Sequence, residues 1–145
     1  MSSPFVLLVD DEVPFVETMT KRLTKRNLRV LMAFSGRESL EKLENNRNLE
    51  VVVLDVQMPG MDGIETLRAI KKAYPLVEVI MLTGHVTVES AIEGMKAGAF
   101  DYMIKPCDLE QLVLKVEQAT KKKRDHEEKI REAKIKAAMS AHGVP

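Results

Sequence analysis

The sequence predicts an α/β protein with a doubly wound, five-stranded parallel sheet and five helices. Three observations predict it. Short apolar runs alternate strictly with longer stretches whose apolar residues recur at helical spacing. The runs show too little polar alternation to face water on one side, which marks strands covered on both faces. Two of them, Phe5-Val6-Leu7-Leu8-Val9 and Val51-Val52-Val53-Leu54, end abruptly in acids, Asp10-Asp11-Glu12 and Asp55. A carboxylate directly after buried apolar residues needs a partner or a chemical task, because leaving it buried and unpaired is costly.

Taken in order, strand one covers about 5–10, and Pro14 opens helix one, where its missing donor does no harm. Phe15, Met19 and Leu23 give that helix its inner stripe. Strand two covers 28–33. Ser35-Gly36-Arg37-Glu38 has the spacing of a capping box for helix two, with Leu40 and Leu43 inward. Asn45-Asn46 ends it, and strand three follows over about 50–55. Asp62-Gly63-Ile64-Glu65 repeats the capping pattern before the stripe Ile64, Leu67, Ile70, and Tyr74-Pro75 closes helix three. Strand four is 77–82, running into Thr83-Gly84-His85. Val88, Ala91, Ile92 and Met95 mark helix four, which Gly98 stops. Strand five spans about 99–104 and leads into Lys105-Pro106. Asp108 caps helix five, with Leu109, Leu112, Val113 and Val116 inward.

The folded domain is thus expected over 1–122. Residues 123–145 read as a charged helical tail or linker. The basic run Lys121-Lys122-Lys123-Arg124 and the acids after it suggest a solvated face, without the heptads of a coiled coil. Zero formal net charge argues against a nucleic-acid surface. No apolar run is long enough to span a membrane, and no basic segment precedes the first run as in a signal peptide. A single cysteine, Cys107, fits a reducing compartment. The expectation is a soluble, cytoplasmic protein.

In open α/β sheets, ligands bind beyond the carboxyl ends of the strands, where strand order reverses. The flavodoxin-like order 2-1-3-4-5 puts strands one and three side by side there, so Asp10, Asp11 and Asp55 meet. Three clustered carboxylates repel unless a proton or a cation intervenes. Oxygen-only ligands in a shallow site suit Mg²⁺. Thr83 and Lys105 end strands four and five at the same edge. A metal, a cation and a hydroxyl around Asp55 are the equipment for moving a phosphoryl group onto a carboxylate oxygen.

With Asp10-Asp11, Asp55-Val-Gln-Met-Pro-Gly-Met-Asp-Gly, Thr83-Gly84 and Lys105-Pro106 in place, the chain resembles a bacterial two-component response-regulator receiver domain over about residues 4–120. The segment Ala91 to Pro106 most resembles receivers of sigma-54-dependent regulators. The resemblance implies that Asp55 accepts a phosphoryl group from a sensor histidine kinase. It implies Mg²⁺ held by Asp10, Asp11, Asp55 and the backbone carbonyl of Gln57. Thr83 would donate to the phosphoryl group, Lys105 would pair with it, and Tyr102 would be the switch aromatic. The helix 4–strand 5–helix 5 surface would change on phosphorylation, Lys105-Pro106 would be cis, and Gln57 and His85 would tune the phosphoryl lifetime. Such a protein assists its own phosphorylation and dephosphorylation and is not otherwise an enzyme. Its partners would be the kinase and a downstream protein or output domain, with a homodimer on phosphorylation left open, and neither nucleic acid nor membrane. Two other readings stand beside this one. A degenerate receiver would act without phosphate, which intact Asp55, Thr83 and Lys105 oppose. An aspartate-nucleophile phosphohydrolase of the haloacid-dehalogenase type would want an acid where Gln57 stands. The 25 residues beyond 120 are too few for an output domain, so a stand-alone receiver and a piece of a longer regulator both fit.

Overall fold

The computed structural model describes residues 2–58, 62–84 and 87–142. Its elements run β1 (Phe5–Val9), α1 (Val13–Thr24), β2 (Arg29–Ala33), α2 (Gly36–Asn45), β3 (Val51–Leu54), α3 (Gly63–Ala73), β4 (Glu78–Thr83), α4 (Val88–Lys96), β5 (Asp101–Ile104) and α5 (Leu109–Ala141). The strands form one sheet in the order β2-β1-β3-β4-β5, and every pairing is parallel. This is the doubly wound, flavodoxin-like arrangement, and it follows from apolar runs that must bury both faces.

The strand period of two sorts those runs into two cores. Val6, Leu8, Val51, Val53, Ile80 and Leu82 pack against Val16, Met19 and Leu23 of α1 and Leu112 and Val116 of α5. Leu7, Val9, Val52, Leu54, Val79 and Met81 face Leu43 of α2 and Ile64, Leu67 and Ile70 of α3. Each fully buried Leu, Ile or Val side chain is worth about 1.5–3 kcal/mol, so the central strands carry most of the stability.

Local signals place the helix starts. Ser35 Oγ accepts the Glu38 N–H at 3.1 Å, while the Glu38 carboxylate reaches back to the Phe34 N–H at 3.2 Å. Asp62 accepts the Glu65 N–H at 2.8 Å, and Pro14 lies in the first turn of α1. A reciprocal box of Thr87 and Ser90 opens α4, a signal that the sequence reading passed over.

Of the four residues that mark α4, only Ala91 faces the core: Val88, Ile92 and Met95 are exposed, and α4 rests on the sheet through Ala91 and Gly94. The reason is a close approach, because a Cβ on Gly94 would lie 2.1 Å from Met81 Cε. Strand five is also shorter than expected, since Ala99 and Phe100 turn the chain, with their N–H groups on Gly94 and Val79 carbonyls. Gly98 stops α4 at φ +105°, a conformation open to glycine. Helix α5 runs unbroken for 33 residues through the expected domain end. No described helix is long and apolar enough to cross a membrane.

Candidate functional site

The register of the central strands builds the site. Val9 of β1 pairs with Leu54 of β3, so Asp10 and Asp55 leave adjacent strands at the same level. The Asp55 N–H donates to the Val9 carbonyl at 2.9 Å, carrying the ladder one step past the strand. Asp10 and Asp55 are buried, and Asp11 is exposed beside them. One carboxylate oxygen from each of the three lies within 4.8 Å of the others.

Each buried acid is held by its own backbone. Asp10 Oδ1 accepts the Glu12 N–H at 3.0 Å, and Asp55 Oδ1 accepts the Gln57 N–H at 3.1 Å. Thr83, buried at the end of β4, stands close enough to Asp55 to favour its anion. Thr83 also accepts the Lys105 N–H on its carbonyl at 2.9 Å, which fixes where β5 delivers the lysine. Lys105 Nζ pairs closely with Asp10, lies 3.3 Å from Glu12 and 4.0 Å from Asp55, and stands over the Phe15 ring at 4.2 Å. The Lys105–Pro106 peptide is cis.

Tyr102 lies on β5 opposite Met81 and is 38% exposed. Between it and Thr83 is a small space lined by Val56, Met81, Ser90 and Ala91. Gln57 lies on the loop beside Asp55. His85 and Pro59–Met61 lie outside the described residues. The structure therefore brings Asp10, Asp11, Asp55, Thr83 and Lys105 together. Sequence reasoning missed Glu12 and Phe15 as neighbours of Lys105, because Glu12 was only the third acid of a run and Phe15 matched a core stripe.

The electrostatics of the cluster are unbalanced. Burial raises the Asp55 pKa and the Asp10 charge adds to this, against the Gln57 N–H, Lys105 and Thr83, which favour the anion. Burial opposes the Lys105 charge, but Asp10, Asp55 and Glu12 outweigh it and hold that pKa up. Three carboxylates against one lysine leave a negative pocket with hard oxygen donors, which fits a divalent cation such as Mg²⁺.

A pH dependence follows. Because the folded Asp55 pKa lies above its unfolded value, the folded protein holds a proton that the unfolded chain releases in that window. Stability then falls as pH rises through the window and stays lower above it. Asp55→Asn, in metal-free buffer, is expected to remove this slope and to raise the melting temperature at neutral pH by about 3–5 °C. Thermal melts from acid to neutral pH check it, and a lower neutral melting temperature for the variant would contradict the crowding of these acids.

The family described as the response regulator receiver domain matches residues 6–117. The transcriptional regulatory protein ZraR of Escherichia coli O157:H7 is 39% identical over 114 residues, 79% of this chain and 26% of that protein. The DNA-binding transcriptional regulator NtrC of Klebsiella pneumoniae is 35% identical over 112 residues, 77% of this chain and 24% of that protein. Among solved structures, a response regulator receiver domain protein from Clostridium thermocellum is similar with a TM-score of 0.80 and 35% identity, over 83% of this chain and 97% of that one. The chain spans about a quarter of the length of these curated relatives.

Proposed function

The chain belongs to the response-regulator receiver family of two-component systems, and from that premise we propose that Asp55 accepts a phosphoryl group from the phosphohistidine of a sensor kinase. The observation that carries this reading is the meeting of three acids within 4.8 Å with Lys105 and Thr83 at one sheet edge. Nothing in folding requires all five there.

An Asp55 carboxylate oxygen attacks phosphorus, the bond to the donor nitrogen breaks, and the product is an acyl phosphate on this chain. Asp10, Asp11, Asp55 and the Gln57 carbonyl would hold Mg²⁺, which when bound neutralises charge on the incoming phosphoryl oxygens. Lys105, already 4.0 Å from Asp55, pairs with the same oxygens once a phosphoryl group is present. Thr83 then donates its hydroxyl to the phosphoryl group. That movement opens the space toward Tyr102, whose exposed ring can turn into it.

The surface that then changes is the one formed by α4, β5 and α5, where Ile92, Met95, Ile104 and Leu114 stand exposed. It would present the signal to a downstream protein or output domain, with homodimer formation on phosphorylation as one form of output. Gln57 and His85 would set the lifetime of the acyl phosphate. The pathway in this reading is cytoplasmic.

Intact mass after incubation with acetyl phosphate tests the proposal. Wild type is expected to gain one phosphoryl adduct that requires Mg²⁺ and disappears in Asp55→Ala. No adduct on folded wild-type protein would favour a receiver that works without phosphate, and an adduct persisting in Asp55→Ala would move the acceptor elsewhere.

A further inference from the structure

At the end of the sheet opposite the acidic site, two more carboxylates are buried. Glu50 immediately precedes β3 and Glu78 begins β4; they are 7% and 3% exposed. The Glu78 N–H donates to the Glu50 carbonyl at 3.1 Å, so the two acids start adjacent strands side by side. Charges this deep persist only when paired.

Their partners come from the basic run that the sequence suggested was solvated. Arg124 grips Glu50 with two prongs, Nε to Oε2 at 2.6 Å and Nη2 to Oε1 at 2.9 Å. Glu50 Oε1 also accepts the Phe5 N–H at 3.1 Å, and Arg124 Nη2 donates to the Ser2 carbonyl at 3.2 Å. Lys122 Nζ lies 3.0 Å from Glu78 Oε2, and Lys71 of α3 holds the other oxygen at 3.1 Å. Between these two bases, Lys123 is itself buried and pairs with Glu127 at 2.8 Å. Lys121 turns to solvent, paired with Asp125, and the Lys122 side chain is half exposed.

We infer that Glu50 and Glu78 are positioning residues that clamp helix α5 where it leaves the domain and fix the direction of its exposed extension. Successive helical residues are about 100° apart, so Lys122 and Arg124 stand about 200° apart around the axis. One ion pair would let the helix slide or roll. Two, on opposite flanks and on adjacent strands, fix both its translation and its rotation. The bidentate Arg124 fork adds an angular constraint that a lysine would not supply. Past this point α5 is exposed as far as Ala141, so its path is set at the clamp. The same two strands carry Asp55 and Thr83 at their other ends, which ties the extension to the site's own framework. The clamp does not depend on phosphorylation.

Spin labels on Glu41→Cys of α2 and Lys136→Cys of the extension, in a Cys107→Ser background of the full chain, read the direction as a distance distribution. The expected result is a single narrow distance that broadens or shifts in Lys122→Gln/Arg124→Gln. Amide exchange over 121–131 should speed by about tenfold in that variant, while peptides from β1, β3 and β4 stay protected. A broad distribution in the labelled parent, or an unchanged distance and exchange in the double variant, would overturn the clamp. Glu50→Gln probes the same contact from the sheet side. Should it fail to fold, the Lys122 and Arg124 variants, which leave the sheet intact, decide the matter. Phosphorylation of Asp55 should proceed in the double variant as in wild type, so failure of the clamp and failure of the phosphoacceptor reading are separately visible.

Discussion

Gly63→Ala is expected to destabilise the protein by about 3 kcal/mol, lowering the melting temperature by about 10 °C. A Cβ at this position would lie 2.3 Å from Val56 Cα and 2.4 Å from the Asp55 carbonyl oxygen. Both neighbours are backbone, so no side chain can swing aside to relieve the clash. The first turn of α3 is also stitched to that loop, with the Gly63 N–H on the Val56 carbonyl at 2.9 Å. Relief therefore means pushing apart α3 and the segment that carries Asp55 and Gln57. The same variant should be phosphorylated more slowly, because catalysis here is largely positioning. Gly84→Ala is the control, since among the described residues nothing lies within 4 Å of its added carbon. A Gly63→Ala protein within about 1 kcal/mol of wild type by thermal or urea melts would show that the loop yields cheaply.

That close approach also shows where sequence reading stops. Asp62 and Ser35 were legible as caps because a cap is a local event, settled within three residues. Asp10 and Asp55 were legible because an acid after an apolar run is itself the signal. The periodicity of α4 marked the helix but not its packing, because it says which residues share a face and not whether anything covers it. Val88, Ile92 and Met95 share a face, yet Gly94 and Ala91 make the contact with Met81 and its neighbours. The basic run at 121–124 misled for a related reason. The acids near it in sequence, such as Asp125 and Glu127, suggested solvation, while its decisive partners Glu50 and Glu78 come from other strands. Phe15 was assigned to the α1 core, where it does pack, and only the fold reveals that its ring also meets Lys105.

Lys105→Met is expected to cost the metal-free protein about 3 kcal/mol at neutral pH, and added Mg²⁺ should return much of it. Among the described residues, Asp10 and Asp55 form ion pairs with Lys105 alone, and both are buried. Removing the ammonium leaves two crowded anions in a poorly solvated site, and their mutual repulsion then falls on the fold. The loss should grow as pH rises and Asp55 ionises, because without Lys105 nearby its raised folded pKa loses one of the charges that hold it down. A divalent cation supplies the missing charge, so Mg²⁺ should raise the melting temperature of the variant more than that of wild type. Phosphorylation need not recover with stability, since Mg²⁺ replaces the lysine's charge but not its place beside the phosphoryl oxygens. Lys105→Arg separates the two roles. It keeps the charge, and so should keep most of the stability, but its planar fork is a different shape against the Phe15 ring and Asp10. Melts of the three proteins with and without Mg²⁺, alongside the mass assay, measure both. If Lys105→Met melted like wild type without metal, Lys105 would serve phosphoryl transfer without supporting the fold.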